Sequence, residues 1–274
     1  MLAVFQIGRG LVPVDEPVLL ADDEGVLRAR AVFETIRVYG GRPFRLEAHL
    51  ARFAGSAARV GLAEPEAAAF AAGVAEAIAA GGAQDAVLRL LWTAGREGAN
   101  RPVGLALVSS LPADLDELRA RGLRLATVSW TPGTLAGAKS TNYGENLAAR
   151  ESAARRDADD ALLVRADGVV LEAPTSNVWW REGRRLLTPG LELPILAGVT
   201  RAAVLELAPA AGYVPEEGVF PLERLLAADE AFLTSSIREV TGVVAIDGLP
   251  VGSGEPGPAA AAVQRALREA AATL

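Results

Sequence analysis

Apolar and polar positions change period repeatedly along this chain. Runs at 31–38 and 86–93 are short, β-branched and strand-like, and the alanine-rich stretches around them carry apolar residues at helical spacing. Within 47–60, Leu50, Phe53 and Ala57 recur at intervals that bring them to one side of a helix. The segment 65–80 opens with Pro65 and closes before Gly81-Gly82, punctuation that suits a second helix. A further strand-like run covers 103–110. Leu111-Pro112-Ala113-Asp114-Leu115-Asp116 then interrupts the pattern. This break sets a small N-terminal unit, 1–112, apart from a larger one, 117–274, with 113–116 as linker.

In the second part, strands are expected near 123–129, 161–164, 169–171, 177–180 and 230–233, and helices near 145–156, 200–210 and 258–274. Asp167-Gly168 between two apolar runs reads as a hairpin turn, which puts Glu172 at a strand end. Trp179 and Trp180 are adjacent, so alternation on one strand predicts one core ring and one surface ring. No fixed period repeats. The expectation is a mixed, antiparallel-rich α/β fold in two units.

Composition narrows the chemistry. The 274 residues are 51% apolar, enough for two ordinary domains. Acidic residues outnumber basic ones, 34 to 27, and the net charge of −7 disfavours nucleic acid as a partner. With no cysteine, disulfides, thiolate metal sites and a thiol nucleophile are excluded. One histidine, His49, leaves little for a metal site or a histidine-dependent triad, so no metal is expected and His49 reads as a structural helix residue. The start of the chain lacks the pattern of a signal peptide and no apolar run reaches spanning length, so a cytoplasmic location is expected.

Lys139 is the sole lysine; every other side-chain cation is arginine. Arginine stays charged, whereas a lysine amine can serve as nucleophile and base. A surface lysine left over in an arginine-favouring sequence is the plain alternative. Small residues precede Lys139 and the polar triplet Ser140-Thr141-Asn142 follows, a turn leading to a helix and a place for an amine in a cleft.

Six segments occur in order: Phe33-Glu34-Thr35-Ile36-Arg37, His49-Leu50-Ala51-Arg52-Phe53, Lys139-Ser140-Thr141-Asn142, Glu172-Ala173-Pro174-Thr175-Ser176-Asn177, Gly198-Val199-Thr200-Arg201 and Ser235-Ser236-Ile237-Arg238-Glu239. Together the chain resembles the class IV aminotransferases, a family that includes branched-chain and D-amino acid transaminases and aminodeoxychorismate lyase. The resemblance implies a two-domain fold type IV enzyme with a small N-terminal α/β domain, a larger C-terminal domain with a barrel-like sheet, and a homodimer. It implies pyridoxal 5′-phosphate as cofactor, held as a Schiff base by Lys139, which also moves the substrate proton. Glu172 then pairs with the pyridine nitrogen, with Asn177 in the same motif. Arg52, Val199, Thr200, Ser235 and Ser236 are the expected phosphate set.

For the substrate, arginine is the natural carboxylate anchor. Arg28 occupies a position resembling a family recognition site, Arg89 breaks the apolar run Val87-Leu88-Arg89-Leu90-Leu91, and Arg96 sits in the 93–101 loop. Phe33 and Thr35 complete the substrate set. Solvation of Arg28 and Arg30, and an acid opposite Arg89, are the structural alternatives. Branched-chain members carry a tyrosine five residues after the lysine, but Gly144 stands there and Tyr143 is one step out of register. The reading is therefore transamination between a small amino acid, of the D series, and a 2-oxo acid. Aminodeoxychorismate lyase, which Thr35 favours, and branched-chain L-amino acid transamination are the alternatives.

Overall fold

The computed structural model describes residues 1–99 and 101–273. Asn100, in the expected 93–101 loop, and Leu274, at the end of the expected closing helix, lie outside the described residues. The chain divides into two compact units. The first comprises Met1–Pro112 with Gly137–Tyr143, and the second Ala113–Ala136 with Gly144–Thr273. Lys139 thus belongs to the N-terminal unit, a correction to the contiguous division expected from sequence.

The first unit runs β1 (Ala3–Gln6), β2 (Gly10–Val12), α1 (Glu24–Leu27), β3 (Ala31–Tyr39), β4 (Arg42–Pro43), α2 (Leu46–Val60), α3 (Ala67–Gly81), β5 (Ala86–Thr93) and β6 (Val103–Ser109). Among the described residues its strands form one six-stranded antiparallel sheet in the order β2-β1-β6-β5-β3-β4. Strand periodicity explains the core. Val32, Ile36 and Val38 share one face of β3, and their register partners Trp92, Leu88 and Ala86 continue it on β5. This face buries against Phe53 and Ala57 of α2 and Phe70, Val74 and Ala77 of α3. The Phe53, Phe70 and Trp92 rings meet edge to face, at centroid distances of 5.2 and 5.9 Å. Glycine stops both helices: Gly61 has φ +72° and Gly82 φ +65°, left-handed caps that a side chain disfavours.

The second unit runs α4 (Leu115–Arg121), β7 (Leu123–Ser129), α5 (Gly144–Ala154), β8 (Asp160–Val164), β9 (Asn177–Glu182), β10 (Arg185–Pro189), α6 (Val199–Leu207), β11 (Val214–Gly218), α7 (Leu222–Leu226), β12 (Glu230–Ser235), β13 (Glu239–Ile246), β14 (Leu249–Pro250) and α8 (Pro258–Ala272). Its sheet follows the order β11-β10-β9-β12-β13-β7-β8, with β14 added on β13, and curls into a half-barrel. Three of its pairings, β10 with β11, β7 with β13 and β7 with β8, are parallel.

Several expectations change. The expected linker 113–116 runs directly into α4, because Leu115 is buried and Leu118 packs on the core beneath the sheet. The 169–171 run forms isolated bridges, Val170 to Val164 and Val169 to Pro221, rather than a strand. Both Trp179 and Trp180 are 0% exposed, against the expectation of one surface ring. Trp180 meets Phe220 edge-on at 5.1 Å within the core cluster, while Trp179, pointing the other way on β9, stacks on Phe232 at 6.1 Å. Helices α6 and α8 contact β12 and β13 and bury apolar residues, among them Ala203 and Val204 of α6 and Val263 and Leu267 of α8.

Candidate active site

In the first unit, the lysine segment is stitched to β3 and α2. Phe33 N–H donates to the Lys139 carbonyl at 3.0 Å, Thr141 N–H donates to the Ala31 carbonyl at 2.9 Å, and Ser140 bridges to Val32. From α2, buried Ser56 Oγ accepts the Lys139 N–H at 3.0 Å. The backbone of the sole lysine is therefore held at both its N–H and its carbonyl, and the segment is held again at Thr141. Its half-buried side chain sets Nζ over the Phe33 ring, 4.4 Å from the centroid, and Tyr143 meets the same ring edge-on at 5.3 Å.

Phe33 lies on the face of β3 opposite the helices, together with Thr35, whose register partner on β5 is Arg89. Arg89 is exposed, and no carboxylate pairs with it among the described residues. Arg28 and Arg96 are engaged with each other's neighbourhoods: Arg28 pairs with Glu97 at 2.7 Å and Arg96 with Asp22 at 2.6 Å. These pairs are exposed, whereas Asp23 beneath them is buried. Asp23 accepts the Thr93 hydroxyl at 2.8 Å and the Gly25 N–H at 2.7 Å, anchoring the loop that carries Arg28.

On the helix-covered face, alternation puts Glu34 in phase with Val32 and Ile36, so a carboxylate is buried at 0% exposure. Arg52 answers it with a two-pronged contact, Nε to Oε1 at 2.8 Å and Nη2 to Oε2 at 2.6 Å. His49 Nδ1 lies 2.7 Å from Oε2. Burial by itself would raise the Glu34 carboxyl, but hydrogen bonds from Arg52 and His49, with the positive charge of Arg52, outweigh it and hold the group at about 2. Burial pushes His49 below its ordinary value despite the nearby carboxylate. At neutral pH Glu34 is ionised and His49 neutral. The carboxylate can only accept, so His49 carries its proton on Nδ1 and orients Glu34 instead of exchanging protons with a substrate.

In the second unit, Glu172 follows the 164–170 bridge, and its carbonyl accepts the Leu163 N–H at 2.8 Å. Its half-buried carboxylate is held from two directions. Asn177 Nδ2 donates to Oε2 at 3.0 Å, and the Leu196 N–H donates to Oε1 at 3.1 Å. Asn177 also donates to the Leu196 carbonyl at 3.0 Å, tying the start of β9 to the loop before α6. That helix opens at Gly198 with no side-chain cap, and Val199 and Thr200 are its buried first residues. Ser235 ends β12, and Ser236 lies in the reversal to β13.

The structure thus brings Lys139 to Phe33, Arg52 to Glu34, and Glu172 to Asn177. Sequence reasoning assigned nothing to Glu34, Ser56 or the Leu196 amide. A charge in phase with Val32 and Ile36 was a readable signal for Glu34. The other two left none.

The amino-transferase class IV family matches residues 31–246. The chain belongs to this family. Among similar proteins, the bifunctional aminodeoxychorismate lyase / D-amino acid transaminase of Mycobacterium tuberculosis is 34% identical over 251 residues, covering 85% of this chain and 87% of that protein. The D-alanine aminotransferase of Bacillus licheniformis is 32% identical over 257 residues, covering 90% and 89%. Among solved structures, the PLP-bound form of a hypothetical aminotransferase from Mycobacterium tuberculosis superposes with a TM-score of 0.92 at 31% identity, covering 99% of both chains.

Class IV aminotransferases use pyridoxal 5′-phosphate, and the residues here fit that group. The chain keeps one lysine with a rigidly held backbone, and a carboxylate whose oxygens are aimed by an amide and a main-chain N–H. Helix α6 starts without a side-chain cap, a donor arrangement suited to an anion. A Cβ at Gly198 would fall 2.0 Å from Asn177 Oδ1, so only glycine lets this helix start approach the amide that holds Glu172. Nearby in sequence, the buried Ser176 Oγ has no hydrogen-bond partner among the described residues.

Proposed function

We propose that this aminotransferase moves nitrogen between a small D-amino acid, of the kind of D-alanine or D-glutamate, and a 2-oxo acid. The observation that carries this reading lies within the first unit. Arg89 presents an exposed guanidinium, without a carboxylate partner among the described residues, on the strand face that also carries Thr35 and Phe33. Phe33 is the ring under the Lys139 amine. One face therefore offers an amine and, two residues along, an anchor for a carboxylate. The names of the two relatives above support the D series, and Gly144 in place of the branched-chain tyrosine argues against branched-chain substrates.

When bound, the cofactor supplies an aldehyde carbon for an amine and an electron-withdrawing pyridine ring. Lys139 Nζ is the chain's amine for that carbon and the base for the substrate Cα proton. Glu172 keeps a proton on the pyridine nitrogen, and Asn177 with the Leu196 N–H keeps Glu172 aimed. Arg52 and the N–H groups and hydroxyls at Val199, Thr200, Ser235 and Ser236 hold the phosphate, with Glu34 and His49 fixing the Arg52 plane. Arg89 grips the substrate carboxylate against Phe33 and Thr35. Arg28 and Arg96 serve as further anchors, since exposed pairs with Glu97 and Asp22 exchange cheaply for a substrate carboxylate. A cytoplasmic homodimer completes the proposal, and sedimentation velocity tests the dimer.

Thr35, opposite Arg89, favours a second reading, aminodeoxychorismate lyase, an activity named for the Mycobacterium tuberculosis relative. Absorbance spectra of the loaded enzyme with D-alanine or L-leucine, each without an oxo acid, separate the cases. Conversion of the bound cofactor to its amine form by D-alanine alone supports the proposal. Conversion by L-leucine replaces it with branched-chain transamination, and silence with both, accompanied by pyruvate release from aminodeoxychorismate, replaces it with the lyase. Arg89→Ala should raise KM for D-alanine by about tenfold, the loss of one charge-assisted contact, with an unchanged melting temperature; an unaltered KM removes Arg89 from the site.

A further inference from the structure

The first residue of β13, where the chain leaves the reversal from β12, is in an unfavourable conformation. Glu239 has φ +58°, in the left-handed region where glycine is at ease and a side chain is not. It is also a fully buried carboxylate, which needs compensation for the water it gives up. Glycine at this position would avoid both costs. The chain instead surrounds the Glu239 carboxylate with donors from two helices. On Oε2 it accepts from Arg119 Nη2 of α4 at 2.6 Å, and from Gln264 Nε2 and Arg268 Nη2 of α8 at 2.9 and 3.2 Å.

The same groups hold the main chain on either side. Arg119 Nε donates to the Arg238 carbonyl at 3.3 Å, and Gln264 Oε1 accepts the Val240 N–H at 2.9 Å. The Arg238 side chain reaches buried Asp160 on β8 at 3.0 Å. Residues 238–240 are thereby fastened from α4, α8 and β8 together. Ser235 is the register partner of Glu239, and Ser236 begins the turn that joins them. A shift at Glu239 therefore passes directly to the two serines.

We propose that Glu239 is a positioning residue for the cofactor phosphate, setting the shape of the Ser235-Ser236 turn through its clamp to Arg119, Gln264 and Arg268. The inference rests on the reading of Ser235 and Ser236 as phosphate donors. A strained backbone kept in place by surrounding contacts is what a pre-shaped anion turn requires. The carboxylate touches no reacting atom and acts through the turn.

The test titrates apo-protein with pyridoxal phosphate and records the 31P resonance of the bound phosphate. Glu239→Gly relaxes the backbone and removes the clamp, and should weaken the cofactor by about tenfold and shift or broaden the 31P line. Glu239→Gln keeps an oxygen that accepts from the same donors, and should restore affinity to within about threefold of the parent. Parental affinity and an unchanged 31P line in Glu239→Gly overturn the proposal. If circular dichroism shows that variant to be unfolded, Gln264→Ala decides: weaker binding supports the clamp, and parental binding overturns it. The double variant Ser235→Ala/Ser236→Ala distinguishes the underlying reading. If it leaves binding and the 31P line unchanged, the serine assignment fails; if it weakens binding while Glu239→Gly or Gln264→Ala does not, the Glu239 proposal fails alone.

Discussion

Replacing Glu34 by glutamine removes one charge from the interior of the first unit while nearly preserving shape. In the folded protein the carboxyl is held at about 2 instead of its ordinary 4.5. That difference corresponds to roughly 3 kcal/mol in favour of the ionised form. Glutamine forfeits it and also turns an amide donor toward either Arg52 or His49, leaving a largely buried guanidinium without its countercharge. Glu34→Gln should therefore lose roughly 3 kcal/mol or somewhat more at pH 7, measured on apo-protein by urea unfolding followed by circular dichroism.

The pH dependence identifies the cause. A depressed carboxyl stabilises the fold fully above its unfolded value, about 4.5, and loses that contribution as pH falls toward 2. The gap between parent and variant should be widest near neutrality and narrow steadily between these limits. His49, lowered by burial, adds a separate loss in the parent as pH falls below its ordinary value of 6.5, because its folded form resists protonation. A gap below about 1 kcal/mol at pH 7, the range of an ordinary surface change, or one that stays constant from pH 5 to pH 2, would refute the account of Glu34 as an ionised, paired group. Because Glu34 also sets the Arg52 plane, the variant should bind pyridoxal phosphate more weakly in a direct titration.

Three further outcomes are expected. Lys139→Ala should abolish turnover while the circular dichroism spectrum and melting temperature stay near the parent's, since its backbone contacts survive; measurable turnover contradicts the assignment of the amine. Glu172→Gln should still bind the cofactor yet slow the half-reaction with D-alanine by at least about a hundredfold, the scale of a lost charge-stabilising group, and a parental single-turnover rate would remove it from the pyridine nitrogen. Gly198→Ala forces a methyl toward Asn177 Oδ1, 2.0 Å from an ideal Cβ, so cofactor affinity should drop with little change in the far-ultraviolet spectrum; unchanged affinity would show that the helix start is not closely fitted.

The legible parts of this protein were those with strong local signals. Leu50, Phe53 and Ala57 announced α2, and Gly81-Gly82 marked the end of α3. β11 did not show itself, because Val214-Pro215-Glu216-Glu217 carries a proline and two acids, which an outermost strand tolerates and a central one does not. Trp179 misled because its burial depends on cover over a sheet face, a property of distant sequence. The order of motifs pointed to Lys139 and Glu172, yet the contacts that aim them, from Ser56, Phe33 and the Leu196 amide, come from residues with no distinguishing chemistry of their own. Arg28 and Arg96 were visible as cations, but their cross-pairing with Glu97 and Asp22 arises only when residues 22–28 and the loop after β5 meet.

The pairing of residues 139–141 with the start of β3 also bears on how the chain can be cut. β4 reaches only Val38 and Tyr39, so the rest of that side of β3 is covered near Ala31 and Phe33 by the lysine segment. A fragment truncated after Pro112 would expose these amides and carbonyls as a vacant sheet margin, a template for strand addition between molecules. Expressed alone, that fragment should be prone to self-association, and a synthetic peptide spanning 137–143 should suppress it. That outcome would make the lysine segment a guard against aggregation and would couple its loss to loss of solubility in any split version of the enzyme.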